Sequence, residues 1–247
     1  MTATIQTTDL TKRYGETTAV DSLSLSIPEG AVYGFLGPNG AGKTTTIEML
    51  TGLTEPTSGS ATVAGASTAD RSNLVGRLGY LPETPPIHDE LTAREQLEYH
   101  GGLRDMDPET IDRRIRRLLD RFDLTDAADE RIGTYSKGMR QKVGLAQAVM
   151  HRPSVVILDE PTAGLDPRAV RTVRELLSEL ADRGTTVFLS THVLPVAASI
   201  STTVGILHEG RLVASGAPDT LTDRLESGAD STLEDVFVEV TTDPRPE

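Results

Sequence analysis

A loop in the first part of the chain has the residue types and the spacing needed to hold phosphate groups. Residues 37–45 read GPNGAGKTT and fit the pattern G-x-x-x-x-G-K-[ST]. The glycines allow successive backbone N–H groups to point at phosphate oxygens, and the helix that follows adds its positive N-terminal end. Lys43 brings a positive charge to the β and γ phosphates, and the Thr44 hydroxyl is placed to ligate Mg²⁺. The loop therefore predicts a nucleoside triphosphate and Mg²⁺ as ligands. The predicted binding residues are Gly37, Pro38, Asn39, Gly40, Ala41, Gly42, Lys43, Thr44 and Thr45.

Two carboxylates follow a predicted buried strand later in the chain. The apolar run 155–158 reads VVIL and leads directly into Asp159 and Glu160. In a parallel sheet the carboxyl ends of the strands face the ligand crevice. We expect Asp159 to hold Mg²⁺ through a coordinated water, and Glu160 to orient and deprotonate the attacking water beside the γ phosphate. The alternative, a pair of solvated turn carboxylates before Pro161, does not account for the phosphate loop in the same chain.

Alternating strand and helix patterns surround both features and must position them. Short apolar or period-two runs predict strands at 22–27, 31–36, 61–65, 78–81, 155–158, 186–190 and 204–207, with turns at 28–30 and 55–60. Helices are expected from Thr45, across a block at about 89–150, and over 168–183 with Gly184 as the stop. An amphipathic stretch at 233–237 precedes a polar tail. Strands that alternate with helices favour a mostly parallel sheet, with the helical block inserted into it.

A run of arginines lies within the predicted helical block. Residues 113–117 read RRIRR, and Ile111 and Ile115 recur there at helical spacing. A basic patch is one interpretation. Because Asp112 and Asp120 are interleaved with the run, a solvated helix face is the favoured one.

Composition bounds the class of protein. The chain has 247 residues, of which 37% are hydrophobic, enough for one large domain or two small ones with a core. No apolar stretch approaches the roughly 20 residues that cross a bilayer, and residues 1–6 lack the features of a signal peptide. We therefore expect a cytosolic protein. The lack of cysteine excludes disulfides and thiolate metal sites.

The charge balance is strongly acidic. The formal net charge is −13, and only four of the 24 basic residues are lysines. A sequence-independent nucleic-acid binder normally carries a basic surface, so no nucleic-acid partner is expected. An acidic, lysine-poor, threonine-rich surface is typical of salt-loving organisms, in which salt screens the self-repulsion. A GC-rich genome that favours Arg over Lys is the alternative explanation.

Three further motifs resemble those of ATP-binding cassette (ABC) ATPases. Residues 135–141 read YSKGMRQ, 163–166 read AGLD and 190–192 read STH. They are similar to that family's signature motif, D-loop and switch-histidine loop, and they stand in the family's order with the phosphate loop and the Asp159 strand. The resemblance covers roughly Leu10 to Leu212.

The resemblance implies an α/β fold of the P-loop NTPase (RecA-like) type. Its parts would be a mostly parallel sheet core, an N-terminal antiparallel β subdomain and an inserted α-helical subdomain. The implied boundaries are an ABC ATPase domain at 1–216, with catalytic core 1–88 and 151–216 and helical subdomain about 89–150, followed by a short C-terminal extension at 217–247.

The resemblance also implies that each complete site needs two chains. Ser136 and Gly138 would contact the γ phosphate of ATP bound to a partner subunit, and Asp166 would reach across the same interface. This implies a two-fold symmetric dimer that encloses ATP, either a homodimer or a heterodimer with another ABC ATPase.

Two more roles follow from the resemblance. His192 would hydrogen-bond the γ phosphate and sense hydrolysis, which completes an expected catalytic set with Glu160 and Lys43. Tyr14 would stack on adenine. The alternative is a core position, which is more usual for a lone tyrosine in a turn.

Two positions depart from the family pattern. The signature usually reads Leu-Ser-Gly-Gly-Gln, and here Lys137 replaces the first glycine, which restricts the backbone and adds a charge. Glu83 stands where the family has the glutamine of the Q-loop; a carboxylate there still meets Mg²⁺ but lacks the amide donor. The expected metal-binding residues are thus Thr44, Glu83 and Asp159. Both substitutions, and the sequence EPTSG at 55–59, resemble the drug- and antibiotic-export branch, in which the ATPase and the permease are separate chains.

The leading hypothesis is therefore the ATP-hydrolysing subunit of a membrane exporter, with ATP and Mg²⁺ as cofactors. It would lie on the inner face of the cell membrane, bound to a separate transmembrane permease. The alternative is a non-transport ABC ATPase acting in translation or DNA repair. The chain has no room for the long coiled-coil insertion of the repair members, and it lacks the paired cassettes and basic linkers of the ribosome-acting members. Intact Lys43, Asp159, Glu160 and His192 argue against a regulatory module that binds ATP without turnover.

Overall fold

Two β-sheets, one antiparallel and one mostly parallel, organise the residues that this computed structural model describes, 3–223 and 232–242. The strands are β1 (Ala3–Tyr14), β2 (Thr17–Pro28), β3 (Val32–Leu36), β4 (Ser58–Val63), β5 (Ala66–Ser67), β6 (Leu78–Leu81), β7 (Val155–Asp159), β8 (Thr186–Thr191), β9 (Thr203–His208) and β10 (Arg211–Gly216). The helices are α1 (Lys43–Leu50), α2 (Arg71–Val75), α3 (Ala93–Gly102), α4 (Pro108–Arg121), α5 (Lys137–Val149), α6 (Pro167–Asp182), α7 (Leu194–Ile200), α8 (Pro218–Thr222) and α9 (Leu233–Thr242).

The antiparallel sheet has the strand order β2-β1-β4-β5. Its first two strands form a hairpin, and the predicted strand 22–27 lies within β2. The turn predicted at 55–60 ends earlier in the structure, because β4 begins at Ser58, which pairs with Thr11 of β1. Gly59 adopts φ +79° within that strand, where a Cβ would lie 2.3 Å from the carbonyl oxygen of Asp9. Pairing with β1 therefore overrides the turn preference of this segment.

The second sheet has six strands in the order β10-β9-β3-β8-β7-β6, and only the β9–β10 pair in it is antiparallel. Both faces are covered, since alternate residues of β7 belong to two different apolar clusters, Val156 and Leu158 to one and Val155 and Ile157 to the other. This explains why the sheet strands read as continuous apolar runs.

The register of this sheet brings three strand ends together. Leu36 at the end of β3 pairs with Thr191 at the end of β8, and Asp159 at the end of β7 pairs with Ser190. Because the strands are parallel, the segments that follow them leave the sheet at the same edge.

Three helices, α3, α4 and α5, fill the block predicted at 89–150. The Asp107 carboxylate caps α4 by accepting from the Thr110 N–H at 2.9 Å, and Pro108 occupies the first turn, where it sacrifices no hydrogen bond. The helix predicted at 168–183 is α6, which ends before Gly184 at φ +87°. No helix within the described ranges combines the length and the apolar composition needed to cross a bilayer.

Six elements have no counterpart among the predicted strands and helices: β1, β5, β10, α2, α7 and α8. The three helices are five to seven residues long, too short for a periodic apolar pattern to stand out. The amphipathic stretch predicted at 233–237 is the first half of α9. Leu233 and Val236 of α9 pack with Leu36 and Ile206 in a third apolar cluster.

Candidate active site

The phosphate loop connects β3 to α1 in a backbone path that close packing enforces. Gly42 has φ +103°, and a Cβ there would lie 2.3 Å from the carbonyl oxygen of Ala19. A Cβ on Gly37 would lie 2.5 Å from the carbonyl oxygen of Leu207. These two glycines let the loop lie close to β2 and β9, and a glycine-rich loop of this kind can turn successive N–H groups toward phosphate oxygens. This cradle fits a phosphate chain.

Lys43 is held at the mouth of this loop. Its Nζ donates hydrogen bonds to the carbonyl oxygens of Gly37 at 2.6 Å and Pro38 at 3.1 Å, and the residue is 8% exposed. Burial lowers the pKa of Lys43, while the carboxylates of Glu160 and Asp159 act in the opposite direction. The ammonium group is thus a buried positive charge next to the two predicted carboxylates.

Asp159 lies at the end of β7, where it meets two hydroxyl groups. The Ser190 hydroxyl donates to Oδ1 at 2.5 Å, and the Thr44 hydroxyl donates to Oδ2 at 3.5 Å. Burial raises the pKa of Asp159, and the charges of Glu160 and Glu83 add to this effect. The Asp159 carboxylate is buried, its charged form is disfavoured, and the Thr44 hydroxyl beside it is a second oxygen ligand. This pair of ligands fits a hard divalent cation such as Mg²⁺.

Glu160 is fixed through both its backbone and its carboxylate. The residue has φ +48°, its N–H donates to the carbonyl oxygen of Ser190 at 3.0 Å, and its carbonyl oxygen accepts from Gln141 Nε2 at 3.1 Å. The carboxylate accepts from the Thr191 hydroxyl at 3.0 Å and from the backbone N–H of His192 at 3.0 Å. A positive φ on a non-glycine residue costs free energy, and such residues are frequent at functional sites.

His192 supplies a third partner to the same carboxylate. Its Nδ1 lies 2.7 Å from Glu160 Oε1, and its side chain is 63% exposed. A carboxylate only accepts, so Nδ1 carries the hydrogen and Nε2 is the ring nitrogen left for a ligand. A carboxylate offers about four acceptor positions, and three are filled by these donors, so Glu160 retains room for one water.

The signature residues and the D-loop form a second group. Ser136 caps α5 by accepting from the Met139 N–H at 3.2 Å, and Asp166 caps α6 by accepting from the Ala169 N–H at 2.8 Å. A Cβ on Gly138 would lie 3.0 Å from the carbonyl oxygen of Gly164. Within the described residues, no hydrogen bond joins Ser136, Gly138 or Asp166 to the phosphate loop.

Lys137, the residue that departs from the signature pattern, lies on the same D-loop. A Cβ on Gly164 would lie 3.2 Å from Cδ of Lys137, and Gly164 itself has φ +73°. The lysine stem therefore covers the D-loop glycine.

Two of the predicted site residues, Tyr14 and Glu83, are exposed. Tyr14 ends β1, is 50% exposed, and has Lys12 Nζ 5.1 Å from its ring centroid. Its ring is thus largely outside the core. Glu83 is exposed in the loop after β6, and its charge is felt by Lys43 and Asp159.

Three polar residues hold Asp159 and Glu160 in place by hydrogen bonds, and the sequence did not predict these contacts: Gln141, Ser190 and Thr191. All three are at most 1% exposed. The signal available for two of them was a Ser-Thr pair at the end of an apolar strand, since buried hydroxyls require partners. Gln141 is separated from Glu160 by 19 residues, and no local pattern links them.

The chain matches the family model of the ABC transporter over residues 20–163. It is 40% identical over 215 residues to the bacitracin transport ATP-binding protein BcrA of Bacillus licheniformis, covering 86% of this chain and 69% of the relative. It is 42% identical over 211 residues to the daunorubicin resistance ATP-binding protein DrrA2 of Streptomyces coeruleorubidus, covering 85% and 66%. The chain thus spans about two thirds of the length of these relatives.

Two solved structures share the fold. The ATP-binding subunit of an ABC transporter superposes with a TM-score of 0.89 at 32% identity, covering 96% of this chain and 98% of that one. A dimeric ATP-binding cassette in a post-hydrolysis state, bound to ADP and Pi, superposes with a TM-score of 0.79 at 25% identity, covering 86% and 98%. The predicted α/β fold of the P-loop NTPase type is therefore confirmed. The chain belongs to the ABC transporter family, as an ATP-binding cassette ATPase similar to the ATP-binding proteins of bacitracin transport and daunorubicin resistance.

Proposed function

We propose that this chain hydrolyses ATP to drive an exporter whose permease is a separate membrane protein. The observation that carries the proposal is the cluster at one sheet edge: Thr44 beside Asp159, and Glu160 beside His192. It combines a phosphate cradle, oxygen ligands for a cation and a carboxylate with room for one water. Such a set is suited to phosphoryl transfer to water.

Each residue of the cluster has a proposed task. The N–H groups of 37–45 and the Lys43 ammonium hold the phosphate chain, and the ammonium exchanges its loop carbonyls for phosphate oxygens. Thr44 and Asp159 hold Mg²⁺, with Glu83 facing it from the loop after β6. When bound, Mg²⁺ would neutralise charge on the reacting phosphate. Glu160 accepts the proton of the attacking water, and Nε2 of His192 faces the γ phosphate.

The second group of residues serves a partner subunit. Ser136 and Gly138 stand at the N-terminus of α5, where unpaired N–H groups and the helix dipole favour an anion. Asp166 is exposed at the start of α6. We propose that these residues complete the site of a second chain, in a dimer that encloses two nucleotides, and that Tyr14 stacks on adenine.

The relatives support the transporter role. The two relatives are named for bacitracin transport and daunorubicin resistance. By analogy, residues 1–216 form the ATPase domain, with residues 217–247 as its extension. The protein would work on the cytoplasmic side of the membrane. The acidic, lysine-poor composition supports a salt-rich cytoplasm.

Replacing the proposed base tests the chemistry. Glu160→Gln should lower ATP turnover by roughly 10²- to 10⁴-fold, because the amide cannot take the proton, while ATP binding persists and the ATP-bound dimer becomes long-lived. Phosphate release and size-exclusion chromatography with ATP measure both effects. Glu98→Gln, at an exposed position of α3, is the matched control. Unchanged hydrolysis in Glu160→Gln would remove Glu160 from the role of base.

Co-purification tests the partner. Affinity capture from native membranes in detergent and high salt should retain a protein with several transmembrane helices and no ATPase domain. Ribosomes or DNA-repair factors in its place would favour the non-transport role.

A further inference from the structure

Six arginines line the edge of the six-stranded sheet that lies opposite the candidate active site. Arg114, Arg117 and Arg121 come from α4, and Arg77, Arg152 and Arg183 come from the segments that lead into β6, β7 and β8. They line two adjoining depressions that share Arg117, Arg152 and Arg183, and we call the two together the arginine groove. The active-site residues follow the carboxyl ends of the strands, whereas the groove lies at the amino ends. The five residues of β7, at about 3.3 Å each, place the two edges roughly 16 Å apart.

Two carboxylates, Glu179 and Glu29, line the groove against the six arginines. Glu179 forms two 2.8 Å hydrogen bonds with Arg121 and lies 3.6 Å from Arg183. Arg117 and Arg152 have no ion pair with any carboxylate of the described residues. So much positive charge in one place, on a chain of net charge −13, creates a local field that attracts anions.

The arginine run of α4 divides between two faces. Arg113 donates to the Thr110 hydroxyl at 2.9 Å, and Arg116 pairs with Asp112, so these two fit the predicted solvated face. Arg114 and Arg117 line the groove. Arg117 is exposed and agrees with the predicted solvated face, whereas Arg114 is half-buried and donates to the carbonyl oxygen of Met150 at 2.5 Å.

The charge of Arg152 adds to that of its neighbours. Arg152 follows the end of α5, where its N–H donates to the carbonyl oxygen of Val149 at 3.0 Å and its φ is +56°. The residue is exposed and adds to the field at Arg114, whose pKa is lowered by burial first and by Arg152 and Arg113 in addition.

The floor of the groove is aliphatic. Leu118, Val149, Met150, Leu176 and Leu180 line it, and the cavity volume of this part is about 70 Å³. The arginines of α4 lie within eight residues, from Arg114 to Arg121, about 10 Å along the helix, which is longer than one phosphate group. No aromatic side chain for base stacking lines the groove among the described residues. A row of cations above an aliphatic floor instead suits a chain that carries both carboxylates and apolar side chains.

We propose that the arginine groove binds an acidic, amphipathic segment of a protein partner. The carboxylates of this segment pair with Arg117 and Arg152, and its apolar side chains cover the floor. This contact lies at the sheet edge away from the nucleotide, so it can form whichever nucleotide is bound.

A labelled peptide tests the proposal. The probe is a fluorescein-labelled twelve-residue peptide with Glu and Leu at helical spacing, titrated with the whole chain at low salt and followed by anisotropy. The wild type and Arg113→Gln/Arg116→Gln should bind it alike, whereas Arg117→Gln/Arg152→Gln should bind at least about tenfold more weakly. ATP turnover should be equal in all three. The two double variants remove the same charge, and circular dichroism checks their folding.

Three results would overturn the proposal. The peptide could fail to bind the wild type, or it could bind both double variants equally, which would reduce the effect to net charge. The third result is binding of inorganic tripolyphosphate or of anionic phospholipid vesicles, but not of the peptide, in a manner that depends on Arg117 and Arg152. That outcome would assign the groove to phosphate-bearing ligands.

Discussion

At the scale of residues, the glycines of the phosphate loop have unequal tasks. Gly42 combines φ +103° with a carbonyl oxygen 2.3 Å from where a Cβ would stand. Gly40 has φ +82° but open space around it. Glycine is therefore required at position 42 by both packing and backbone conformation, and at position 40 by backbone conformation alone.

Alanine substitutions should separate these two requirements. Gly42→Ala should lower the free energy of unfolding by roughly 3 kcal/mol or more and abolish ATP binding, because the loop must move away from Ala19. Gly40→Ala should cost about 1 kcal/mol, the penalty for a left-handed alanine. Urea unfolding and nucleotide titration measure both. Equal costs for the two variants would contradict the packing argument.

At the scale of elements, two half-buried histidines join α3 to the end of α5. The rings of His100 and His151 are 6.2 Å apart, and His151 Nε2 lies 3.1 Å from the carbonyl oxygen of Leu78, which opens β6. Burial, with the charge of Arg104, lowers the pKa of His100 to about 4 and that of His151 to about 3. Both rings are therefore neutral in the folded protein.

Stability should fall as the pH drops below about 6.5. The unfolded chain binds protons on these histidines near their ordinary pKa of about 6.5, whereas the folded chain does so only near 4 and 3. Their contribution is therefore complete above pH 6.5 and is lost progressively below it, by about 3 kcal/mol between pH 7 and pH 5. Urea unfolding at several pH values measures the slope. His100→Gln/His151→Gln should flatten it, and His88→Gln, at an exposed position, should not. An unchanged slope in the double variant would exclude the pair as its source.

The sequence could predict those elements whose signal is local. Strands buried on both faces, such as β3 and β7, read as apolar runs, and the motifs placed at their ends predicted where Lys43 and Asp159 would lie. The pairing of Ser58 with β1 and the bond from Gln141 to Glu160 depend on residues distant in sequence. The division of the α4 arginines likewise depends on where α6 packs, so no pattern within α4 could predict it.

At the scale of the whole molecule, the acidic charge opposes folding. A net charge of −13 on 247 residues produces self-repulsion, and described surface ion pairs such as Arg171–Glu175 contribute little against it. Salt shortens the range of this repulsion, to about 3 Å at 1 M ionic strength.

The melting temperature should therefore rise with potassium chloride. We expect an increase of several degrees between about 0.1 M and 2 M salt, because screening favours the compact state. Differential scanning calorimetry measures the shift, and sucrose at matched water activity controls for solute exclusion. A melting temperature that stays constant or falls with salt would contradict this account and the proposed salt-rich cytoplasm.

The central claim is that each catalytic site is shared by two chains, and mixing two inactive variants tests it most directly. Lys43→Ala removes the phosphate-loop cation, and Ser136→Asp keeps the cap of α5 but places a negative charge where the partner's γ phosphate would lie. Each variant alone should be inactive. An equimolar mixture should recover about a quarter of the wild-type ATP turnover, since half of the random dimers carry one intact site out of two. A mixture no more active than the two variants measured separately, or full activity of Ser136→Asp alone, would contradict the shared site.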